Sequence, residues 1–486
     1  MIDERSELQT VAGLHGLILA WETDAGVVQP DYDYAVTLPA DVTTTRLRAT
    51  IIADRDCDAR LELSAFRGIR VTLGGEVVAT SEPRIEPFGN CYPVSLRAGE
   101  NRLDLEVTLA EVNPRLSARL VAPDGSPLDA VTEVRPRWRG IIEDLRASLP
   151  EGRNVSLWNQ WNELCARPPL LRLTDESPGA WRAWHDAFGL TLRELLGPTD
   201  PTVPPRVEVV SSERLDGYRR DRIVFSAEPT TALPAWLLVP DEPNGAGIVS
   251  IHGHGYVYGE TVGISGDDRS RESIERLHYA YAARYAERGY TVINPDMRNF
   301  GSRHDDESFR RDSCDTAALR LSLFGRVLMA DQLRDLRGAI DVLLAQPTVT
   351  GPVGATGLSY GGRLTMFLSA IEPRVACAVA SGCLNIFRER LTIDSSCGAQ
   401  FVPGLLTFGD TPEVFGLIAP RPLLLELGTI DGTSPEIFAM DAWAQIERYY
   451  RAAGVRDRLD IDIFETGHIY HGARAFDWFD RWLLNT

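Results

Sequence analysis

The sequence predicts an α/β chain: a mainly parallel sheet with helices on both faces, preceded by an all-β domain and a short helical segment. Three observations lead to this prediction. Over residues 1–130, short runs alternate apolar and polar residues, which is typical of half-buried strands. Over residues 131–205, apolar residues recur at helical spacing. Over residues 206–486, buried apolar runs alternate with helical stretches, as in parallel sheets covered on both faces.

The first region, residues 1–130, predicts a β-sandwich or jelly roll. Turn signals at Gly74-Gly75, at 98–101 and at 123–125 separate its short, evenly spaced strands. The stretch 73–109 resembles the jelly-roll modules attached to carbohydrate-active enzymes. A structural or dimerising role is favoured over sugar binding, and a homo-oligomer formed through this domain is compatible with the sequence.

The second region, residues 131–205, predicts a helical linker packed on the following domain. Its tryptophans are expected to form that packing: Trp158, Trp161, Trp181 and Trp184. The Pro-rich and Gly-containing stretch 197–205 then ends the last helix and leads into the third region, residues 206–486.

Charge and composition exclude several classes of function. The net charge is −19 with scattered charges, so neither nucleic acid nor an anionic membrane surface is expected as a partner. All 50 basic residues are arginine. Without lysine there is no Schiff base, no phosphate-binding Gly-Lys-Ser/Thr loop and no Ser/Lys dyad. Any serine chemistry must therefore take its base from the eight histidines.

The cysteines and the N-terminus predict a cytoplasmic protein. The seven cysteines are odd in number and include no Cys-x-x-Cys pair, which favours reduced thiols. The N-terminal stretch is acidic and lacks the pattern of a signal peptide. No apolar run approaches 18 residues, so no transmembrane helix is expected.

Residues 357–362, Gly-Leu-Ser-Tyr-Gly-Gly, place Ser359 between a strand candidate at 353–357 and a helix that begins near Gly361. Gly-x-Ser-x-Gly in strand–turn–helix order is the signature of a nucleophile elbow. Glycines are needed there because a side chain on either side of the serine would clash where the backbone reverses. We therefore predict Ser359 as a nucleophile.

The partners of Ser359 follow in chain order. His468 comes directly after the last strand candidate, 459–464, and is predicted as the base. His471 is its competitor, with a capping or packing role more expected. Asp431 follows the strand candidate 423–428 and is predicted to fix the histidine tautomer and stabilise the imidazolium. Three other carboxylates are less suited as the acid. Glu426 lies inside the strand candidate, and Asp410 and Asp441 belong to other loops or helices.

Two backbone N–H groups are needed to bind an oxyanion. We predict those of Tyr360 and His254, with Gly255 as second choice to His254. His252 is expected to brace the loop from a buried position. His252 and His254 could suggest a metal site, but no third histidine or carboxylate follows at ligand spacing, so neither a metal nor a cofactor is predicted. Asp296 and Arg298 are expected to be structural.

Several motifs in order resemble the acetyl-xylan-esterase-like, dienelactone-hydrolase-related branch of the α/β-hydrolases. The likeness spans about residues 140–486 and rests on the stretches 250–255, 278–303, 353–382, 397–410 and 418–435. It implies a serine carboxylic-ester hydrolase with the triad Ser359, Asp431 and His468. It also implies that Cys397 and Pro403-Gly404 belong to a loop that shapes the pocket.

Two departures limit what the resemblance implies. The stretch TIDGTSPEI after the strand at 423–428 is less apolar than in relatives, so the local pocket is expected to differ. The related dienelactone hydrolases use a cysteine nucleophile, whereas this chain has Ser359, so that activity is not carried over.

The leading hypothesis is therefore an esterase that acts on small acyl esters, such as acetylated sugars or a natural product. A peptidase or amidase of the prolyl-oligopeptidase type is the alternative, although 130 β residues are too few for a propeller. Acyl transfer and C–C bond hydrolysis use the same triad and stay open. A binding protein with a vestigial hydrolase domain is disfavoured because no triad residue is missing.

Overall fold

The structure is a computed structural model. It describes residues 16–18, 21–24, 26–28, 36–37, 44–64, 66–108, 115–126, 128, 130, 157–254, 259–304, 313–388 and 396–485. The helix predicted at the start of the second region falls on 131–156, outside the described residues.

The described N-terminal residues form two antiparallel sheets, ordered β2-β1-β4-β9-β6-β7 and β3-β10-β5-β8. Both sheets contribute to one hydrophobic core, for example through Leu47 and Leu105 of the first and Leu61 and Val94 of the second. The alternating pattern of the sequence therefore buries one face of each sheet. The strands are β1 Trp21–Thr23, β2 Gly26–Val28, β3 Val36–Thr37, β4 Thr44–Ala53, β5 Cys57–Ser64, β6 Gly68–Leu73, β7 Glu76–Ser81, β8 Cys91–Leu96, β9 Gly99–Thr108 and β10 Arg115–Val121.

Two helices follow, α1 (Leu157–Ala166) and α2 (Pro178–Leu196). Ser177 caps α2, since its side chain accepts a hydrogen bond from the backbone N–H of Ala180. Trp184 of α2 is buried and stacks on Tyr449 with ring centroids 4.2 Å apart. This aromatic residue therefore packs α2 against the helix Glu436–Ala452 of the following region.

The third region contains a nine-stranded mixed sheet ordered β11-β12-β13-β15-β14-β16-β17-β18-β19. In this order, the neighbours from β11 to β15 pair antiparallel, and those from β15 through β14 to β19 pair parallel. The strands are β11 Glu208–Arg214, β12 Tyr218–Glu228, β13 Thr231–Pro240, β14 Gly245–Ile251, β15 Thr291–Pro295, β16 Val349–Leu358, β17 Val375–Ser381, β18 Leu423–Gly428 and β19 Leu459–Phe464. The search for apolar runs missed β11 and β12, because β11 is exposed throughout and β12 is rich in charge.

Helices cover both faces of this sheet. Successive strand residues serve opposite faces: Val249 and Ile293 belong to one core cluster, and Ile248 and Val292 to another. The α-helices with described bounds are α3 Asp268–Arg276, α4 Tyr281–Glu287, α5 Ser313–Ser322, α6 Leu328–Leu344, α7 Tyr360–Ile371, α8 Leu405–Phe408, α9 Thr411–Gly416, α10 Glu436–Ala452 and α11 Ala475–Phe479. Among the described residues, no helix is both long and apolar enough to cross a bilayer.

A buried polar contact joins the N-terminal sheets to α10. Arg119 of β10 is 2% exposed and donates to Glu62 at 2.6 Å, to Asp441 at 2.7 Å and to the carbonyl of Ile437 at 2.9 Å. Asn90 donates its side-chain N–H to the buried carboxyl of Glu436. The N-terminal sheets are thereby fastened to the helix that follows the predicted acid loop.

Candidate active site

Ser359 lies on a strained turn between β16 and α7. Its backbone has φ +62° and ψ −119°, a conformation that residues other than glycine rarely adopt. A Cβ on Gly361 would lie 2.1 Å from the carbonyl oxygen of Ile251, and one on Gly357 would lie 2.5 Å from the carbonyl carbon of Gly361. The two glycines of the motif are therefore sterically required, as the sequence predicted.

Asp431 and His468 are brought together at the ends of neighbouring strands. Asp431 follows β18 and is 3% exposed, and its Oδ2 lies 2.7 Å from Nδ1 of His468, which follows β19. The backbone N–H and hydroxyl of Thr433 donate to Oδ1 at 2.8 and 2.7 Å. Burial alone would raise the pKa of Asp431, but the charge of His468 and these hydrogen bonds outweigh it and lower that pKa.

The backbone around Ser381 and Gly382 connects this pair to Ser359. The N–H of Ser359 donates to the carbonyl of Ser381 at 2.8 Å. Gly382 has φ +59°, and a Cβ there would lie 2.9 Å from Cε1 and 3.1 Å from Nδ1 of His468. The imidazole of His468 therefore packs against the Cα of Gly382, which directly follows Ser381, the residue that accepts the hydrogen bond from Ser359. No sequence pattern marks Gly382, because only the fold places it against the histidine.

The competing residues are engaged elsewhere. His471 lies 2.7 Å from Asp462 and stacks on Phe464, and hydrogen bonding to Asp462 raises its pKa. The other carboxylates have structural partners: Glu426 accepts from the N–H of Gly472, Asp410 caps α9, and Asp441 pairs with Arg119.

The loop after β14 runs beside the elbow. His252 is fully buried, with Nδ1 2.8 Å from the carbonyl of Gly253 and Nε2 accepting from the N–H of Met297 at 3.0 Å. It braces the loop, as expected, and burial lowers its pKa. A Cβ on Gly253 would lie 3.6 Å from that of Ser359, and His254 lines the same pocket as Ser359. Gly255, the second choice for an oxyanion donor, lies outside the described residues.

Tyr360 opens α7, so its backbone N–H belongs to the first turn and has no acceptor within the helix. Its side chain is 2% exposed and donates its hydroxyl to Gln332. The rings of His254 and Tyr360 both pack against Phe300, with centroids 5.2 Å away in each case. The two predicted oxyanion residues therefore lie on adjoining walls.

The pocket over Ser359 is small, and most of the residues that line it have polar side chains. Its volume is about 260 Å³. Arg363 and Asn385 form part of its lining and are joined by a 2.7 Å hydrogen bond. The other lining residues are His254, Ser359, Tyr360, Gly382, Cys383, Ser396, Cys397, Gln400, Thr433 and Ser434. Neither Arg363 nor Asn385 belongs to the serine motif, so no sequence pattern marks them as pocket residues.

Cys397 meets two side chains from distant segments at one wall of this pocket. Cys314 of α5 has its Sγ 3.7 Å from Nε2 of His254. Hydrogen bonding from Cys314 and His254, against the effect of burial, lowers the pKa of Cys397 to about 5. Pro403 and Gly404, implied to belong to the same loop, line a neighbouring apolar cavity of about 600 Å³ instead. All seven cysteines lie in the described part of the chain, and none of them forms a disulfide.

The loop after β15 is fixed by arginine–carboxylate pairs. Asp296 is fully buried and accepts two hydrogen bonds from Arg222, at 3.0 and 2.7 Å. Arg298 donates two to Asp335, at 2.8 and 2.9 Å, and a third to Glu228. Both residues thus make the structural contacts that the sequence predicted.

The chain is similar to known hydrolases. Residues 274–397 match the model of the dienelactone hydrolase family. A protein of Bacillus subtilis strain 168 that carries the provisional name hydrolase YtaP is 24% identical over 311 residues, which cover 60% of this chain and 97% of that protein. A crystal structure from Bacteroides fragilis NCTC 9343, provisionally assigned as an acetyl xylan esterase (BF1801), aligns with a TM-score of 0.55 at 18% identity. It covers 68% of this chain and 90% of its own.

These similarities confirm the resemblance stated from the motifs. The mixed sheet, with its crossover helices and its serine turn after β16, is the α/β-hydrolase arrangement. The chain combines a segment similar to the dienelactone hydrolase family with an α/β-hydrolase-like fold, and it is a hydrolase.

Proposed function

We propose that this protein is a serine carboxylic-ester hydrolase in which Ser359, His468 and Asp431 act as nucleophile, base and acid. The observation that carries the proposal is the 2.7 Å contact between His468 Nδ1 and Asp431 Oδ2, placed beside a strained Ser359 turn. With its Nδ1–H donated to Asp431, the neutral imidazole has its lone pair on Nε2, where it can accept the serine proton.

The reaction then needs only groups of the chain. Ser359 Oγ attacks the ester carbonyl while His468 takes its proton, and the imidazolium returns that proton to the departing alcohol. The backbone N–H groups of Tyr360 and His254 bind the oxyanion. A water molecule, deprotonated by His468, hydrolyses the acyl-enzyme and releases the acid.

The pocket favours a short acyl group and a polar alcohol. A volume of about 260 Å³ leaves little space for a long acyl chain, and Arg363, Asn385 and Gln400 offer hydrogen-bonding groups. An acetylated sugar or a small acetylated natural product fits this lining. The similarity to a provisionally assigned acetyl xylan esterase is consistent with such a substrate.

No observation favours the peptidase alternative. The described N-terminal strands form two sheets of six and four strands, whereas a propeller needs four or more four-stranded blades. Acyl transfer and C–C hydrolysis would use the same triad and differ only in what accepts or leaves the acyl group.

The test is a panel of p-nitrophenyl esters of increasing acyl length, acetylated xylose and a p-nitroanilide. We expect turnover of the acetyl esters, a fall in kcat/KM with acyl length, and no anilide cleavage. Ser359→Ala should abolish turnover and labelling by a fluorophosphonate. Ser369→Ala, a buried serine ten residues along on α7, is the matched control and should keep both. Unlabelled Ser359 in folded protein would refute the proposal.

The expectations on domains, partners, location and oligomeric state stay proposals. We place the domain boundaries at 1–130, 131–205 and 206–486, and we take the N-terminal sheets for a jelly roll with a structural or dimerising role. We also take the small-molecule ester as the partner, without nucleic acid or membrane, and the cytoplasm as the location. Gel filtration at graded protein concentrations would test the homo-oligomer.

A further inference from the structure

We propose that His254, Cys314 and Cys397 form a binding site for a soft divalent cation, Zn²⁺ in the first place, in the wall of the pocket over Ser359. The imidazole nitrogen and the two sulfur atoms all lie within 4.8 Å of one another. They come from three separate segments: the loop after β14, the first turn of α5, and the stretch that follows residue 395. The site goes beyond the esterase reaction, no step of which uses a metal.

The spacing fits tetrahedral zinc. Zn–N and Zn–S bonds of about 2.1 and 2.3 Å at a tetrahedral angle place nitrogen and sulfur about 3.6 Å apart. His254 Nε2 and Cys314 Sγ are 3.7 Å apart. A cation can therefore enter with little movement of these two atoms.

The ligand set selects the metal. Two thiolates and one imidazole suit Zn²⁺ and similar soft cations, whereas Mg²⁺ and Ca²⁺ prefer oxygen ligands. Three protein ligands leave a fourth position for water. Cys314 is buried at 1% exposure, while His254 is exposed and, like Cys397, lines the pocket, so water can reach that position.

The segments that carry the cysteines are already held together without a metal. The N–H of Gly398 donates to the carboxylate of Asp315 at 2.6 Å, directly beside Cys397 and Cys314 in the chain. The side chain of Gln400 contacts Cys397 Sγ at 3.7 Å. This preorganisation lowers the ordering cost of binding. A bound cation would then tie the loop of His254 to the opposite wall of the pocket.

No metal site was predicted from the sequence because no third ligand stands close to His252 and His254 in the chain. Histidine–cysteine sites are normally recognised by short spacings such as Cys-x-x-Cys. Here the fold supplies the second and third ligands from distant segments, so no local pattern announces them.

The test uses full-length protein reduced with TCEP, dialysed against a chelator and then titrated with Co²⁺ and Zn²⁺. We expect about one equivalent of Co²⁺ with a thiolate-to-cobalt charge-transfer band, displaced by Zn²⁺. Cys314→Ser, Cys397→Ser and His254→Gln should each weaken binding by more than about 100-fold, beyond the effect of removing an outer-shell partner. Three independent variants keep the test decisive if the buried Cys314→Ser does not fold.

Two controls fix the location. Cys57→Ser removes a partly exposed thiol of β5 and should leave binding unchanged. Asp462→Asn alters a second group of metal-capable side chains, Glu426, Asp462 and His471, and should also leave it unchanged. The absence of a charge-transfer band, or Co²⁺ binding that persists in both Cys314→Ser and Cys397→Ser, would overturn the proposal. Because the readout is binding, its failure would leave the esterase proposal standing, and loss of esterase activity in Ser359→Ala would not affect it.

Discussion

Replacing Gly382 by alanine should damage catalysis more than stability. The new Cβ would lie 2.9 Å from Cε1 of His468 and 2.9 Å from a methyl of buried Leu358, whereas ordinary contacts begin at 3.4 Å. The imidazole must therefore retreat by about 0.5 Å, the difference between these two distances, from its position against Asp431. Since a misplacement of about 1 Å can cost about 100-fold in rate, we expect kcat to fall about 10- to 100-fold.

The same substitution also strains the backbone. At φ +59° an alanine costs about 1–2 kcal/mol, so a modest fall in Tm should accompany the loss of activity. Gly454→Ala is the matched control, because Gly454 has φ +75° but nothing within 4 Å of its new Cβ. It should lower Tm by a similar amount and leave kcat on p-nitrophenyl acetate unchanged. A folded Gly382→Ala protein with wild-type kcat would refute the reasoning, as would an equal loss of kcat in Gly454→Ala.

Three further substitutions test the acid and the contact between the N-terminal sheets and α10. Asp431→Asn should lower kcat by about 10⁴-fold with the fold intact, measured by ester turnover and circular dichroism, because the amide stabilises the wrong imidazole tautomer; retention of even a tenth of the activity would exclude Asp431 as the acid. Burial raises the pKa of Glu436 from 4.5 to about 8, so the folded state holds a proton that the unfolded chain releases between these pH values, and stability falls as pH rises. Glu436→Gln should therefore raise Tm at pH 8.5 but not at pH 4.5. At 1.36 kcal/mol per pKa unit, the gain in the free energy of unfolding is at most about 5 kcal/mol, and a pH-independent gain would contradict this cause. Arg119→Met should destabilise by about 3 kcal/mol in urea unfolding, at the lower end for a broken buried pair because Arg60 still pairs with Glu62; a neutral effect would show that the pair adds no stability.

The triad candidates could be predicted from the sequence because local rules fix them. The glycines around Ser359 indicate the turn. Asp431 and His468 are selected because they follow Ser359 in the expected chain order and stand at the ends of strands. The bare Cα of Gly382 under the imidazole, and the support that Thr433 gives Asp431, could not be predicted in this way. Both depend on which strand ends become neighbours, and that is a property of the folded sheet.

The same limit applies to residues that pair across long stretches of chain. Cys314 and Cys397 stand in no metal-ligand motif in the sequence and become neighbours of His254 only through packing. Strands β11 and β12 could not be predicted from apolar runs for another reason. Strand β11 is the edge strand and is exposed throughout, and β12, the next strand inward, carries the charged run 219–222.

The contact between Arg119 and α10 affects how the chain is made. The partners lie 318 residues apart for Arg119 and Ile437, and 346 for Asn90 and Glu436. During synthesis N-terminal domains generally fold first. Here the two N-terminal sheets leave the ribosome with a guanidinium and an amide that have only part of their acceptors. The remaining acceptors, on Glu436, Ile437 and Asp441, have not yet been translated. The buried contacts of the N-terminal sheets are therefore completed only when α10 has been made. A chain that stops before residue 436 lacks the acceptors that α10 provides for Arg119 and Asn90.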